Sequence, residues 1–217
     1  MSALSHRQNK SLVLLGSGPG IGVAVSSHFA SHGFNTIVLI SRDASRLRND
    51  AKSVRAAAPK CTISTFDVDV TDAVALKRVL AQIEMEFGPP EVVVYNASRL
   101  KRSTFGEYAE EEVLEDFKAA NLGLLTAANW AMQHLVSLAE EEDSTVRPSF
   151  LVTSGGLAHT PMPILFSLSM AKAAQRALTR SLSMEYGPKG VHVGSVVVHG
   201  IVKREKGYWC HPDEVAK

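Results

Sequence analysis

Cysteine is nearly missing from this 217-residue chain: only Cys61 and Cys210 occur, and they form no C-x-x-C pair. A disulfide framework or a cysteine zinc site therefore lacks material, no metal site is expected, and a reducing intracellular setting is favoured. Charge of one sign is lacking as well. The formal net charge is +1, and the longest block of like charge is the short cluster Glu140, Glu141, Glu142, Asp143. Neither nucleic acid nor an anionic membrane is then an expected partner, and a small-molecule substrate is the default. Long hydrophobic runs are also absent. The leading MSALSHRQNK has no apolar h-region and the longest apolar runs are strand-length, which indicates neither export nor membrane spanning and makes cytoplasmic residence the expectation. No repeat, linker or low-complexity stretch divides the sequence, and with 45% hydrophobic residues, residues 1–217 read as one domain with a sizeable core.

What is present is a strict alternation of two patterns. Strand-like apolar runs occur at Leu12–Leu15, Thr36–Ile40, Cys61–Phe66, Val92–Tyr95, Phe150–Thr153 and Val191–Val198. Between them lie helix-patterned stretches at Ile21–His32, Ala44–Ala58, Asp72–Phe87, Glu110–Leu138 and Leu168–Tyr186, with Gly33, Pro59, Gly88 and Gly187 as stops. Continuous rather than alternating hydrophobicity in the strands implies a parallel sheet covered on both faces by helices. In such a sheet ligands bind at the carboxyl ends of the strands, so the residues just after each run are the candidates for function.

After the first strand the chain reads SLVLLGSGPGIG from Ser11 to Gly22, followed by the helix-like VAVSSHFASHG. A strand emptying into glycines and then a helix is the arrangement that cradles a pyrophosphate: glycine lets the backbone approach it, and the helix N-terminus offers free N–H groups. Gly16, Ser17, Gly20, Ile21 and Gly22 are the candidate contacts. The expected fold class is accordingly α/β, a Rossmann-like doubly wound parallel sheet of about six strands with helices on both faces. After the second strand stands Ser41-Arg42-Asp43, with no acid at position 41 to meet the ribose hydroxyls of NAD(H). A hydroxyl and a guanidinium suit a 2′-phosphate, so NADP(H) is preferred over NAD(H); the bland alternative is a solvated loop arginine. After the third strand, Asp69 and Val70 offer a carboxylate and an apolar wall near an adenine, while Thr71 or Asp72 also suits a helix cap.

Past the fourth strand comes Tyr95-Asn96-Ala97-Ser98, and at this point the chain resembles the short-chain dehydrogenase/reductase family over most of its length. The family's glycine turn, Asp-Val pair, Asn-Asn-Ala-Gly segment and Tyr-x-x-x-Lys helix occur in the same order. They come through as Gly16, Gly20 and Gly22, as Asp69 and Val70, and as the variant Tyr95 to Ser98. The resemblance implies that Asn96 and Ala97 border the cofactor, that Asn121 is the family's helix asparagine, and that Lys172 is its lysine, holding the ribose. Gly200, Ile201 and Val202 would offer backbone to the carboxamide, with His199 in place of the family's proline.

The family's tyrosine falls on Leu168, and its serine falls at Ser154 or one place beyond, where Gly155 stands. In the resembled mechanism tyrosine protonates the carbonyl oxygen, lysine lowers the tyrosine pKa, and serine hydrogen-bonds the substrate oxygen. Leucine does none of the tyrosine's work. Candidate replacements are Ser169, three residues before Lys172 and able to share its helix face, and His159 on the loop after the fifth strand; His199 is a second histidine at the mouth of the site, with a structural bond to backbone as its alternative. Tyr95 and Tyr108 are further candidates, each with packing as its alternative role. The family's covering segment and seventh strand are expected to be short and absent here.

The leading expectation is an NADP(H)-dependent oxidoreductase acting on a carbonyl or alcohol of a small molecule through an atypical site. The alternatives are a non-redox lyase, isomerase or cyclase on the same fold, and a nucleotide-binding protein without catalysis. Helices 110–138 and 168–186 carry apolar residues on more than one face (Ala127, Ala128, Ala131, Leu135; Ala173, Ala174, Ala177, Leu178), so a homodimer or homotetramer through these helices is expected.

Overall fold

The computed structural model describes residues 10–141, 146–200, 202 and 210–216. Ile201, residues 203–209, and the acidic residues Glu142 and Asp143 lie outside them. The first half runs β1 (Ser11–Leu15), α1 (Ile21–Ser31), β2 (Thr36–Ser41), α2 (Ala44–Ala57), β3 (Thr62–Asp67), α3 (Ala73–Phe87) and β4 (Val92–Tyr95). The second runs α4 (Glu110–Phe117), α5 (Gly123–Ala139), β5 (Ser149–Gly155), α6 (Phe166–Tyr186), β6 (His192–Val198) and α7 (Pro212–Val215). All strand pairs are parallel, in the order β3-β2-β1-β4-β5-β6. The order reverses between β1 and β4, and a crevice opens there beyond the strands' carboxyl ends.

The period-two alternation of each strand divides the core between two layers. Leu12 and Leu14 of β1, with Ile37, Leu39, Val92 and Val94, meet Val23 and Val25 of α1 and Leu47, Ala51 and Val54 of α2. Val13 and Leu15, with Val38, Ile40, Val93 and Tyr95, meet Leu76, Leu80 and Ile83 of α3, Leu124 to Leu138 of α5, and Leu182 of α6. The expectation that every strand is covered on both faces holds for β1, β2 and β4, buried along their whole length. It is corrected elsewhere: β5 buries only every second residue, and β3 and β6 bury only Ile63 and Val193. Here α1 and α2 cover the centre of their face, while Leu151 and Val196 border a groove of about 330 Å³ beside α1.

Local chemistry sets the helix boundaries. Asp43 caps α2 by accepting from the Ser45 and Arg46 amides, and Asp72 caps α3 by accepting from those of Val74 and Ala75. The stretch 110–138, read from sequence as one helix, is interrupted by a π-helical turn at Lys118–Leu122. Such a turn frees carbonyls from the regular ladder. The Tyr95 hydroxyl donates to Ala119 O, and Gln175 Nε2 donates to Ala120 O at 2.9 Å. Gly123, next along, permits this docking, since a Cβ there would collide with the Tyr95 hydroxyl. The apolar residues named from sequence for an outer face of α5, namely Ala127, Ala128, Ala131 and Leu135, are instead fully buried in the core. Among the described residues, no helix is long and apolar enough to cross a membrane, and no group of three or more His, Cys, Asp and Glu gathers as a metal site.

Asp116, at the end of α4, ties the segment after β4 to α6. Its buried carboxylate accepts from Ser167 Oγ at 2.6 Å and from the Tyr108 hydroxyl at 3.2 Å, and it lies 3.4 Å from Arg99 Nη1. Removing one partner of a buried pair strands the others. Asp116→Ala is therefore expected to lower stability by about 2–4 kcal/mol, measured as a shifted urea midpoint. A loss within error would show that solvent satisfies Arg99 and Ser167 equally well.

Candidate functional site

The glycine turn is held by its backbone. The Gly16 and Ser17 amides both donate to Ile40 O, at 2.9 and 2.8 Å. Gly16 has a φ of +92°, and a Cβ there would collide with the Ala97 backbone. At Gly22 a Cβ would stand 3.1 Å from Ser17 Cα. At Gly18 and Gly20 it would meet nothing within 4 Å, so these two leave room above the turn instead of filling a contact. No side chain caps α1; the Val23 and Ala24 amides donate to Gly18 O and Gly20 O, which leaves those of Ile21 and Gly22 to an external anion. The Ser17 hydroxyl is not part of that offer: it points inward and donates to Asp50 Oδ2 at 2.8 Å. Burial pushes the Asp50 carboxyl above its ordinary range, against that hydrogen bond.

From this turn a cleft of about 270 Å³ extends over the carboxyl ends of β1, β2 and β4. It gathers Gly16, Ser17, Ser41, Arg42, Asp69, Val70, Asn96 and Ala97 of the residues expected at a cofactor, and adds Arg46, Ser98 and Arg99. Gly20, Ile21 and Gly22 do not line it but open α1 beside it. Gly200 and Val202 lie outside its lining, and Gly200 rests instead near Cys210 Sγ. Arg46 Nη2 donates to Ser41 Oγ at 3.2 Å, and Arg42 stands 3.5 Å from Asp69 with its side chain 59% exposed. Burial raises the Asp69 carboxyl, but the Thr71 amide and hydroxyl and the Arg42 guanidinium outweigh it and hold the group below its ordinary range. Asn96 fixes the cleft floor, donating to Gly16 O at 2.8 Å and accepting from Thr153 Oγ1 at 2.7 Å.

Beyond Thr153 lies a second cluster. Lys172 is 6% exposed, and its Nζ donates to Gln175 Oε1 at 2.9 Å and to Thr153 O at 3.4 Å. Burial alone lowers its pKa, to about 8. Asn121, on the π turn, donates from Nδ2 to Ala171 O at 3.1 Å, while its Oδ1 is buried without a partner. Ser154 Oγ is likewise buried and unpartnered. Both orphan oxygens thus sit one residue from groups tied to the lysine, where an incoming oxygen or water would satisfy them.

The hydroxyls considered as substitutes for the tyrosine are committed elsewhere. Ser169 does not turn to Lys172: its Oγ donates to Leu165 O at 2.8 Å and accepts from the Met162 amide, fastening the start of α6. Tyr95 is wholly buried, its hydroxyl on the π turn and its pKa pushed far up by burial. Burial and then Asp116 push the Tyr108 phenol up as well. His159 and His199 are exposed, His199 beside Gly156. Leu168 is 5% exposed, an apolar side chain one turn before the lysine.

A family model for the short chain dehydrogenases matches residues 10–205. The chain belongs to that family. The short chain dehydrogenases bind a nicotinamide cofactor, and the oxidoreductase UcpA of Salmonella typhimurium is 27% identical over 188 residues, covering 86% of this chain and 67% of that protein. The meso-2,3-butanediol dehydrogenase of Serratia marcescens is 26% identical, covering 87% of this chain and 70% of that one. Among solved structures, an NADPH-bound short chain oxidoreductase of Pseudomonas aeruginosa, described as containing an atypical catalytic centre, is 26% identical. It superimposes with a TM-score of 0.79 over 92% of this chain and 74% of its own. The residues present fit a dinucleotide, because the space over Gly18 and Gly20 is what a side chain would have filled. Arg46, Asp50 and Gln175 escaped the sequence reading. Arg46 follows the cap Asp43 by three residues, and Gln175 follows Lys172 by three, so helical spacing was the signal available.

The buried lysine makes a pH prediction. A lysine whose folded pKa is depressed binds fewer protons folded than unfolded, so it costs stability below its folded pKa and the cost disappears as pH rises to the unfolded value. Between pH 7 and the ordinary lysine range, wild type is expected to gain about 3 kcal/mol relative to Lys172→Met, read by urea denaturation at each pH. Parallel stability curves for the two proteins would show that the ammonium is solvated.

Proposed function

We propose that this short chain dehydrogenase is an NADP(H)-dependent oxidoreductase interconverting a carbonyl and an alcohol on a small molecule in the cytoplasm. The observation that carries it is the open cradle over Gly18 and Gly20, running into a cleft that ends at Ser41, Arg42 and Arg46. When bound there, the cofactor supplies or removes the hydride. The α1 N-terminus and the bare glycines hold the pyrophosphate. Arg42 and Arg46 meet the 2′-phosphate, whose charge two guanidiniums match and a lone ribose hydroxyl does not. Support for the choice of NADP(H) comes from the lack of an acid at position 41, and from Asp69 being engaged by Thr71 and Arg42. The NADPH-bound relative with an atypical centre accords with it.

Leu168 favours a second reading, a lyase, isomerase or cyclase, or a nucleotide-binding protein without catalysis. Titration with NADPH and NADH, followed by nicotinamide absorbance against aldehydes, ketones and quinones, separates the two. NADPH is expected to bind and to be consumed; binding with no turnover on any substrate leaves the second reading standing. In the same assay Arg42→Ala combined with Arg46→Ala is expected to weaken NADPH roughly 10- to 100-fold and to leave NADH unchanged. Equal losses for both cofactors sink the 2′-phosphate assignment.

We further propose a homodimer or homotetramer built on the outer faces of α4, α5 and α6. Leu114, Phe117, Leu122, Leu125 and Met170 are exposed there, more apolar surface than solvent favours. Light scattering is expected to give a dimer or tetramer, and Leu125→Glu with Met170→Glu a folded monomer. A monomeric wild type contradicts the interface.

A further inference from the structure

We propose that Lys172 is itself the proton donor of this site, its ammonium aimed by the Gln175 amide oxygen and the Thr153 carbonyl; this rests on the oxidoreductase reading above. The geometry reaches it in three steps. First, the hydroxyls of α6 and β4 that could replace the tyrosine are spent: Ser169 donates to Leu165 O, Ser167 to Asp116, and Tyr95 to Ala119 O, each away from the lysine. Second, Leu168 puts a saturated side chain where a phenol would otherwise stand between the lysine and the substrate, so no intermediate acid separates the two. Third, an ammonium has three N–H donors, and two are placed, on Gln175 Oε1 at 2.9 Å and Thr153 O at 3.4 Å. The third is left for an oxygen beside Ser154 Oγ and Asn121 Oδ1, both buried without a hydrogen-bond partner.

Gln175 is the positioning residue. It is 1% exposed, and its amide spans from the lysine to the π turn, accepting from Lys172 and donating to Ala120 O. Position and charge state are thereby linked to the element that carries Asn121. The groups bonded to the ammonium are neutral, Thr153 O on β5 and Gln175 on α6. Among the described residues no carboxylate, histidine or second cation contributes to its titration, only burial. The proton step balances. As hydride adds to the carbonyl carbon, the oxygen takes up the electron pair of the C=O π bond; an N–H bond of Lys172 breaks, an O–H bond forms, and the neutral amine left behind is reprotonated by water.

An acid must be protonated to act, so turnover in the reductive direction falls as pH rises through the lysine's midpoint. The test follows that midpoint twice. In protein without cofactor, ¹⁵N-lysine NMR reads it directly, with Lys172→Arg assigning the signal by removing it. Gln175→Met deletes an acceptor that favours the charged amine, and is expected to lower the lysine's proton affinity roughly tenfold. Gln175→Glu, which keeps the side chain's shape, is expected to raise it. The pH profile of NADPH turnover should move down in the first variant and up in the second, in step with the NMR midpoint. A profile that stays fixed while the NMR midpoint moves, as a histidine donor such as His159 or His199 would give, overturns the lysine's role. An NMR midpoint indifferent to both variants overturns the positioning role of Gln175. Wild type that binds NADPH yet turns over no carbonyl removes the oxidoreductase reading itself, a result distinct from either.

Discussion

A line of hydrogen bonds under the crevice joins elements far apart in the chain. Asn96 gives to the glycine turn and takes from Thr153; the Thr153 carbonyl takes from Lys172; Lys172 gives to Gln175; and Gln175 gives to Ala120 of the π turn. The residue after β4, and β5, α6 and the π turn, each contribute a member, so the cofactor cradle and the lysine cannot shift independently. Lys172, Gln175 and Ala120 are buried and the other members half-buried, and in a low dielectric each bond strengthens its neighbours while each broken one leaves a costly orphan. The surrounding packing serves this line. Gly123 lets α5 approach β4 closely enough for Tyr95 to secure Ala119 O, and Asp116 draws α4 against α6.

How much of this could be read beforehand depends on how local each feature is. The strands were placed to within a residue or two at each end, because hydrophobic runs and glycine stops are local signals. Asp72 as a cap was equally local. Coverage was not: apolar residues in β5 and β6 look like those in β1, but whether a helix lies over them is decided elsewhere in the chain. The π turn was hidden for a similar reason. KAANL carries nothing to break a helix, and its extra residue is stabilised by Tyr95 and Gln175, two residues distant in sequence. Ser169 shows the converse error. Spacing put it near Lys172, but a hydroxyl at a helix start satisfies backbone first.

Leu168 divides the molecule's two tasks. The cradle is made of backbone, absent Cβ atoms and cations just after β2 and on α2, none of which depends on the residue at 168. Cofactor affinity and chemistry are thus separable here, and the first can persist whatever has become of the second. The lysine is where they meet again. With no phenol or carboxylate among the described residues bonded to it, Lys172 holds its proton against two neutral oxygens, and its burial opposes the charge. A buried cation held this way weakens the fold compared with an apolar side chain of the same length. Features that oppose stability in this manner concentrate where a protein handles reacting groups. An amine whose pKa burial brings down to about 8 is poised to release a proton, which a fully solvated lysine at the same position would hold too tightly to give up.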